Sequence, residues 1–307
     1  MEEVKIFGHK NPDTDTIMSS LILEAIEKTL GVYNAKAYRL GNINKETKYA
    51  LDYFGVKEPE LLEKVDEGTS VMMVDHNEFS QSVDGIEKAK IIRVVDHHKI
   101  ANFETHEPLF YLAMPVGCTA TILREMCKVS GIKIDKVTAG LMLSAIISDT
   151  LLLKSPTCTQ KDIEAANELA KIAEVDLNTY GLNMLKAGTD LSDFTPEELI
   201  NIDSKTFTKN EVKMQIAQVN TTSIEDVLKN TEAIENAMNE FIKENSEDLF
   251  VLLITDILEN NSQILVTGSR KDLVEKSFGI TLQDNMAFLP GVVSRKKQVV
   301  PVIDKNI

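Results

Sequence analysis

Two short apolar runs constrain the fold of this chain more than any other feature of its sequence. They occupy residues 71–74 and 91–95, and each is followed at once by a carboxylate and an imidazole side chain. Strands buried on both faces of a parallel sheet have apolar runs of this kind. The two runs therefore predict neighbouring strands in the interior of a parallel sheet.

The rest of the first half alternates between predicted strands and predicted helices. Strands are predicted at 4–7 and 35–40, and an apolar periodicity over 17–30 that ends at Gly31 predicts a helix between them. This βαβ succession predicts an α/β fold in which helices on both faces cover a parallel sheet. Further helices are predicted at 45–54, 119–130, 137–147, 159–173 and 177–186.

The character of the sequence changes after a small, polar segment. Residues 189–195 are predicted to link a first domain, 1–188, to a second domain, 196–307. A length of 307 residues fits two domains better than one core. The second domain is predicted to be a smaller α/β domain, with strands at 213–219, 249–257 and 264–268 and helices at 224–244 and 271–278.

The net charge and the apolar runs exclude several classes of partner. A formal charge of −15 disfavours a long nucleic acid, because the phosphate backbone would be repelled. No apolar run approaches the roughly 20 residues that span a bilayer, and the first residues lack the pattern of a signal peptide. We therefore expect a cytoplasmic protein with no membrane partner. Three cysteines without a C-x-x-C pair are expected to be buried, unpaired side chains.

Histidines and aspartates are concentrated where the predicted strands and one predicted helix end. Taken singly, each segment is also explained by helix capping or by a hydrogen-bonded turn. Together, however, the segments contain four of the five histidines, and only His106, interpreted as a surface residue, lies outside them. The segments are 9–16 after the first strand, 75–77 and 96–98 after the two apolar runs, and 148–150 after the helix at 137–147.

These segments supply enough oxygen and nitrogen ligands for two divalent metal ions if some aspartates bridge. A set of histidines and aspartates without cysteine suits Mn²⁺, Co²⁺, Mg²⁺ or Zn²⁺. Two ions about 3.5–4 Å apart activate water and neutralise a phosphoryl group in many hydrolases. The predicted ligands are His9, Asp13, Asp15, Asp75, His97 and Asp149.

One dense basic run stands out in this acidic chain. Arg295, Lys296 and Lys297 follow a Pro-Gly turn, which would hold them in place. Arginine offers a planar pair of donors to phosphate and lysine offers a point charge. A phosphate-binding clamp is the functional interpretation, and a solvated basic surface is the alternative.

The ordered set of motifs resembles the family II, manganese-dependent inorganic pyrophosphatases of the DHH phosphoesterase superfamily. The resemblance extends over the whole chain, and the ordered set is far more specific than any one motif. The matching segments are His9-x-x-x-Asp13-x-Asp15, Asp75-His76-Asn77, Asp96-His97-His98, Ser148-Asp149-Thr150 and Ser294-Arg295-Lys296-Lys297-Gln298.

The resemblance implies an N-terminal DHH domain, a DHHA2-like C-terminal domain and an active site in the cleft between them. Pyrophosphate would be hydrolysed to two phosphates by a hydroxide that bridges two Mn²⁺ ions, with Co²⁺ as an alternative metal and additional Mg²⁺ on the substrate. It implies a homodimer formed through the N-terminal domain.

The resemblance also implies a role for each site residue. His9 and Asp13 would bind one metal, Asp15 and His97 the other, and Asp75 and Asp149 both. The catalytic residues would be His98, Asp75 and Asp149, the substrate-binding residues His98, Lys205, Arg295 and Lys296, and the residues that orient ligands His76 and Asp96.

Two other functions compete with pyrophosphate hydrolysis. A related DHH phosphoesterase could act on short oligonucleotides, nucleoside bisphosphates or polyphosphate. The nucleotide-acting relatives usually have a glycine-rich, histidine-containing motif in the second domain, whereas here no histidine follows His106. A non-catalytic metal or phosphate sensor is the alternative from another class, although it would need neither His98 nor the complete ligand set.

Overall fold

The computed structural model describes residues 2–307, which form two compact units. The first unit ends at Gly188, and the second comprises Thr189–Ile307. No helix among residues 2–307 is both long and apolar enough to cross a membrane.

A six-stranded, all-parallel sheet forms the centre of the first unit. Its strand order is β3-β2-β1-β4-β5-β6, so the order reverses between β1 and β4, where open α/β sheets place their ligand sites. The parallel sheet is as predicted, but the two short edge strands, β3 and β6, were not. The strands are β1 (Glu3–Phe7), β2 (Asn34–Arg39), β3 (Glu60–Leu61), β4 (Ser70–Val74), β5 (Lys90–Asp96) and β6 (Phe110–Ala113).

Helices accompany this sheet at nearly all the predicted positions. The strongest packing between helices joins the first helix to the fourth and the fourth to the fifth. Another apolar cluster of this unit contains Phe7, Met73 and Val94 from the strands. It includes residues of loops and of two short 3₁₀ turns. The helices are α1 (Thr14–Leu30), α2 (Lys45–Phe54), α3 (Thr119–Val129), α4 (Lys136–Thr150), α5 (Gln160–Ala173) and α6 (Leu177–Gly188).

Helix α4 is longer than its apolar pattern predicts. It continues to Thr150, so Asp149 lies in its last turn rather than in a loop after it. Leu151, Leu152 and Leu153 follow in the left-handed region, with φ of 47, 54 and 66°. Such a turn of three leucines is unfavourable for the backbone, and it ends the helix where glycine is absent.

The second unit contains a five-stranded mixed sheet in the order β11-β10-β9-β8-β7, with only β8 and β9 parallel. Two apolar clusters lie on it, one under α7–α9 and one under α10 and α11. Its elements are α7 (Pro196–Leu199), β7 (Ser204–Lys209), β8 (Val212–Thr221), α8 (Ile224–Leu228), α9 (Thr231–Asn245), β9 (Leu249–Asp256), β10 (Asn261–Gly268), α10 (Lys271–Phe278), β11 (Met286–Pro290) and α11 (Val300–Asp304).

Several features of the second unit differ from the prediction, and the short helices α7 and α11 were not predicted. The helix predicted at 224–244 is divided at Lys229 and Asn230, where Thr231 donates a hydrogen bond to the carbonyl oxygen of Leu228 at 2.6 Å. Strands β7 and β11 were not predicted, since their alternation of polar and apolar residues is weak. The basic run forms a π-helical turn, Arg295–Val299, directly before α11.

The cysteines agree with the prediction in part. Cys118 and Cys127 are buried, whereas Cys158 is partly exposed, and none of the three forms a disulfide.

Candidate metal centre

The predicted metal ligands of the first unit meet at the carboxyl ends of β1, β4 and β5. His9 follows β1, Asp75 follows β4, and His97 follows β5. Because β1 and β4 are hydrogen-bonded neighbours at the reversal of strand order, and β4 and β5 are neighbours as well, the three loops converge. Asp13 and Asp15 lie at the start of α1, and Asp149 lies at the end of α4.

The converging atoms form two groups of possible ligands that share Asp75. One group contains His9, Asp13 and Asp75, and its ligand atoms lie within 4.8 Å of one another. The other group contains Asp15, Asp75, His97 and Asp149 under the same limit. A third combination joins Asp75 and His97 to His98. The six predicted ligands therefore come together in the folded chain.

Asp75 lies between the two histidines. Its Oδ2 is 3.5 Å from His9 Nε2, and its Oδ1 is 3.3 Å from His97 Nε2. It is almost fully buried, and the hydroxyls of Thr16 and Thr119 donate to its two oxygens at 2.7 and 3.1 Å. Its backbone has a φ of 59°, a left-handed conformation that aspartate tolerates better than most residues.

Asp13 and Asp15 are held by different parts of the backbone. Asp13 is the N-cap of α1, and its Oδ1 accepts a hydrogen bond from Thr16 N at 2.9 Å. Asp15 is fully buried and accepts bonds from Ser19 Oγ and from the backbone N–H groups of Thr119 and Ala120 at the start of α3. Both carboxylates are therefore oriented without a metal ion.

His97 and His98 are also oriented by a bond from one ring nitrogen. His97 Nδ1 lies 3.0 Å from the carbonyl oxygen of Val116, so it donates there and leaves Nε2 directed at Asp75. His98 Nδ1 lies 2.9 Å from Asp96 Oδ1, and its side chain is 51% exposed. Asp96 in turn accepts from Asn77 at 2.6 Å, so it is fixed on both sides.

His76, which the resemblance implies to orient a ligand, forms its hydrogen bonds with other parts of the fold. Its Nδ1 lies 2.9 Å from the carbonyl oxygen of Val74 and its Nε2 lies 3.0 Å from Ser82 Oγ, so both nitrogens are occupied within the fold. Burial lowers its pKa to about 4. His106, the fifth histidine, is exposed, as predicted.

The titratable groups of the cluster shift one another's pKa values. Burial opposes protonation of His9, but hydrogen bonds with Asp13 and Asp75 outweigh it and raise its pKa to about 10. Burial opposes protonation of His97 in the same way, and its hydrogen bond with Asp75 raises its pKa to about 9. For Asp75, burial acts to raise the pKa, yet the hydrogen bonds from His9 and His97 bring it below its ordinary value.

The other two buried carboxyl groups show the opposite shift. Burial, followed by repulsion from Asp75, raises the pKa of Asp15 to about 7. Burial, with repulsion from Asp15 and Asp75, raises the pKa of Asp149 well above its ordinary value. Three carboxylates thus repel one another in a buried space. Divalent cations bound among them would relieve that repulsion, and carboxylates with imidazoles are ligands that such cations accept, so the donor set fits metal ions.

An open cavity of about 450 Å³ adjoins this cluster and is lined by Asp13, Asp75, His97, His98 and Asp149, among others. It would admit a small anion to the ligands. A larger cavity of about 920 Å³ in the same unit is lined by residues 86–91 and 102–107 together with Phe79 and Glu67. None of the predicted ligands lines that cavity.

Apart from His98, the predicted substrate-binding residues belong to the second unit. Lys205 is exposed on β7, and Lys296 is exposed in the π-helical turn. Arg295 is buried, and its guanidinium contacts the carboxylate of Asp203 at 2.9 Å and the carbonyl oxygens of Asp203 and Ile216. The pairing of Arg295 with Asp203 was not predicted.

Sequence reasoning missed several residues that support the ligands. Thr16, Thr119 and Ser19 donate to ligand carboxylates, and Asp162 accepts from Gly117 N at 2.9 Å and Thr121 Oγ1 at 2.6 Å behind the loop that orients His97. Thr16 lies within the first predicted segment, so its spacing from Asp13 was an available signal. The partners of Thr119 and Asp162 are distant in the sequence, and no local pattern reveals them.

Models of two protein families together match most of the chain. The DHH family N-terminal domain matches residues 3–146, and the DHHA2 domain matches residues 182–306. The parallel sheet, the histidine–aspartate cluster at its strand ends and the mixed second sheet thus define a two-domain DHH protein with a metal centre.

Relatives of full length narrow the class further. A protein of Bacillus subtilis named manganese-dependent inorganic pyrophosphatase is 57% identical over 99% of this chain and 98% of its own. A Bacillus velezensis protein, inferred to be such an enzyme, is 58% identical over 100% of this chain and 99% of its own. A solved structure from Methanococcus jannaschii, described as a candidate family II inorganic pyrophosphatase, is 42% identical, has a TM-score of 0.65 and covers 99% of each chain. This chain belongs to the family of manganese-dependent inorganic pyrophosphatases.

Proposed function

We propose that the protein hydrolyses inorganic pyrophosphate to two phosphate ions with manganese as its metal. The observation that most directly supports this proposal is the pair of ligand groups joined through Asp75. Two adjacent sites with one shared carboxylate would hold two ions close together, as in two-metal hydrolases. The names of relatives that match the whole chain identify the substrate.

The six ligands divide between two Mn²⁺ ions in this proposal. His9 and Asp13 would hold one ion, and Asp15 and His97 would hold the other. Asp75 would serve both ions, which its position between the two histidines supports. Asp149 would also serve both, and its grouping with Asp15, Asp75 and His97 supports its contact with the second ion.

Bound divalent ions of this kind lower the pKa of water and offset the charge of a phosphoryl group. The protein orients the ligands for that task. The carbonyl oxygen of Val116 fixes the ring of His97, and the hydroxyls of Thr16 and Thr119 fix the carboxylate of Asp75. Little rearrangement is then needed when metal binds.

His98 is proposed to bind the substrate and to give a proton to the departing phosphate. Its Nδ1 is held by Asp96, and its ring is about half exposed beside the metal ligands. The hydrogen bond with Asp96 raises its pKa, which favours the protonated ring. An acid at this position would stabilise the leaving group.

Lys205, Arg295 and Lys296 are proposed to bind the phosphate oxygens. Lys205 and Lys296 are exposed and able to reach an anion. Arg295 would use N–H groups that Asp203 does not occupy, and its buried position gives it a fixed direction. The remaining parts of the proposal are Co²⁺ as a substitute metal and Mg²⁺ that accompanies the substrate.

The proposed setting of the enzyme is a cytoplasmic homodimer that does not bind nucleic acid. The net charge of −15 supports the last point, since it opposes a polyanionic partner. The edge strand β6, with Phe110 exposed, gives the first unit a surface through which two copies would associate.

The test is phosphate release from four substrates: pyrophosphate, a short oligonucleotide, a nucleoside bisphosphate and polyphosphate. Each is assayed with Mn²⁺, Co²⁺ or Mg²⁺ and after chelation. We expect rapid release from pyrophosphate that stops on chelation and returns with Mn²⁺. Release from another substrate without any from pyrophosphate would overturn the proposal and leave the metal centre in place.

A further inference from the structure

Glu46 lies behind the metal centre and is not among its proposed ligands. It belongs to the first turn of α2, whose start is fixed by the Asn44 side chain accepting from Thr47 N at 2.7 Å. Its side chain is partly buried, whereas most glutamates in folded proteins are exposed. Its contacts explain this position.

One oxygen of Glu46 accepts hydrogen bonds from two distant segments. Thr14 Oγ1 donates to Glu46 Oε1 at 2.7 Å, and Ser148 Oγ donates a short bond to the same atom. Thr14 lies between the proposed ligands Asp13 and Asp15, and Ser148 directly precedes Asp149. A single carboxylate oxygen thus joins the start of α1 to the end of α4.

The same side chain contacts the last residue of the first unit. A Cβ atom on Gly188 would lie 2.8 Å from Glu46 Cβ and 3.0 Å from Glu46 Oε2. No side chain fits there unless Glu46 moves. The glycine at the end of α6 therefore allows the chain to pass closely over Glu46.

We propose that Glu46 is a positioning residue of the metal centre, which sets the separation between Asp13 and Asp15 on α1 and Asp149 on α4. The inference rests on the proposed function, because it deepens the role of the same site. A carboxylate that accepts both hydroxyls fixes the two backbone segments to each other, in addition to the packing between α1 and α4. Loss of such a supporting group typically weakens metal binding by about 10–100-fold.

The experiment measures Mn²⁺ binding rather than activity. Metal-free protein is titrated with Mn²⁺, and the free ion is followed by its electron paramagnetic resonance signal. Glu46→Ala should weaken at least one site by roughly 10–100-fold. Glu46→Gln should lose less, because its amide oxygen still accepts both hydroxyls. Asp52→Asn removes the same charge from an exposed position on the same helix, and should change affinity less than about twofold.

A second variant tests whether Glu46 acts through Ser148. Ser148→Ala removes one donor to Glu46 without a change in charge, and it should weaken Mn²⁺ binding by itself. This variant keeps the proposal testable if Glu46→Ala fails to fold. The double variant should lose less than the sum of the two single effects, because the pair shares one contact. Gly188→Ala keeps the carboxyl group but crowds it, so it should weaken binding in the same direction.

Unchanged Mn²⁺ affinity in a folded Glu46→Ala protein would overturn the proposal. A lower unfolding temperature of the metal-free protein with unchanged affinity would overturn it as well, since that is the result of a packing role alone. If the natural protein released no phosphate from pyrophosphate but Glu46→Ala still weakened Mn²⁺ binding, the proposed function would fail and this inference would stand.

Discussion

The two units of the molecule present their proposed functional side chains in opposite ways. In the first unit, buried carboxylates at strand and helix ends are fixed by hydroxyls and backbone N–H groups. In the second unit, Lys205 and Lys296 are exposed, and only Arg295 is fixed, by Asp203. The first arrangement is preorganised for compact cations, whereas the second leaves flexible cations to adapt to an anion. If the proposed roles hold, this difference predicts that metal binding and the binding of substrate by the second unit can be altered separately.

Removal of the metal should have the largest effect on activity, and its effect on structure should be confined to the first unit. Chelation should abolish phosphate release, and Mn²⁺ at a hundred times its Kd should stabilise the protein by about 2.7 kcal/mol per site. Hydrogen exchange should show slower exchange on Mn²⁺ addition near Asp15, Asp75 and Asp149, and unchanged exchange in β7 and β8. Equal protection in both units would break the comparison.

Asp75→Asn is the next largest effect, because this carboxylate is proposed to serve both metal ions. Asparagine keeps the shape of the side chain and tolerates the left-handed backbone at this position. We expect a loss of more than about a hundredfold in phosphate release, beyond the usual cost of losing a supporting residue. Assays at saturating Mn²⁺ measure it. Near-normal turnover, here or in Asp149→Ala, would refute the assignment of that aspartate as a bridge.

Replacement of Lys296 or Arg295 should weaken the binding of pyrophosphate and leave the affinity for Mn²⁺ unchanged. Lys296→Ala should raise KM for pyrophosphate by about tenfold, the effect of roughly 1.4 kcal/mol, with Mn²⁺ affinity unchanged. Arg295→Ala should in addition destabilise the second unit by about 1–3 kcal/mol, since it removes a charged hydrogen-bond partner of Asp203. Steady-state kinetics and denaturant unfolding separate the two results. Weaker Mn²⁺ binding in Lys296→Ala would contradict the separation.

The smallest expected effect is that of His106→Ala. This histidine is exposed and lies outside every group of possible ligands in the described chain. Activity, Mn²⁺ affinity and unfolding midpoint should all stay within about twofold or 0.5 kcal/mol of the natural protein. A large loss of activity would show that His106 is functional although it does not directly follow a buried strand.

The side chains that the sequence predicted to meet do lie together, because the signal for them is local. Each apolar run that forms a buried strand is followed directly by Asp75 or by the segment of Asp96 and His97. Parallel strands bring their carboxyl ends to one edge, so adjacency in the chain becomes adjacency in space. The same logic placed Asp13 and Asp15 directly after β1, although α1 begins at Thr14, so Asp15 lies in its first turn and not in the predicted loop.

The features that escaped prediction depend on partners far along the chain or on weak periodicity. The bond from Thr119 to Asp75 joins residues 44 positions apart, and that from Ser148 to Glu46 joins residues 102 apart. Strands such as β6 and β7 are short edge strands, so only one neighbour confers their extended conformation. The burial of Arg295 depends on Asp203, which no motif connects to it.

The left-handed backbone of Asp75 restricts which residues a mutational library would recover at this position. Glycine would satisfy the backbone but offers no ligand, and glutamate would offer a ligand on a longer side chain less tolerant of this φ. Asparagine satisfies the backbone and the shape but lacks the charge. Residue 75 therefore has to meet two requirements, a left-handed backbone and a short charged ligand, and aspartate meets both. In a screen of all twenty residues at this position, selection for folding should retain residues that tolerate this φ, and selection for activity should then retain aspartate.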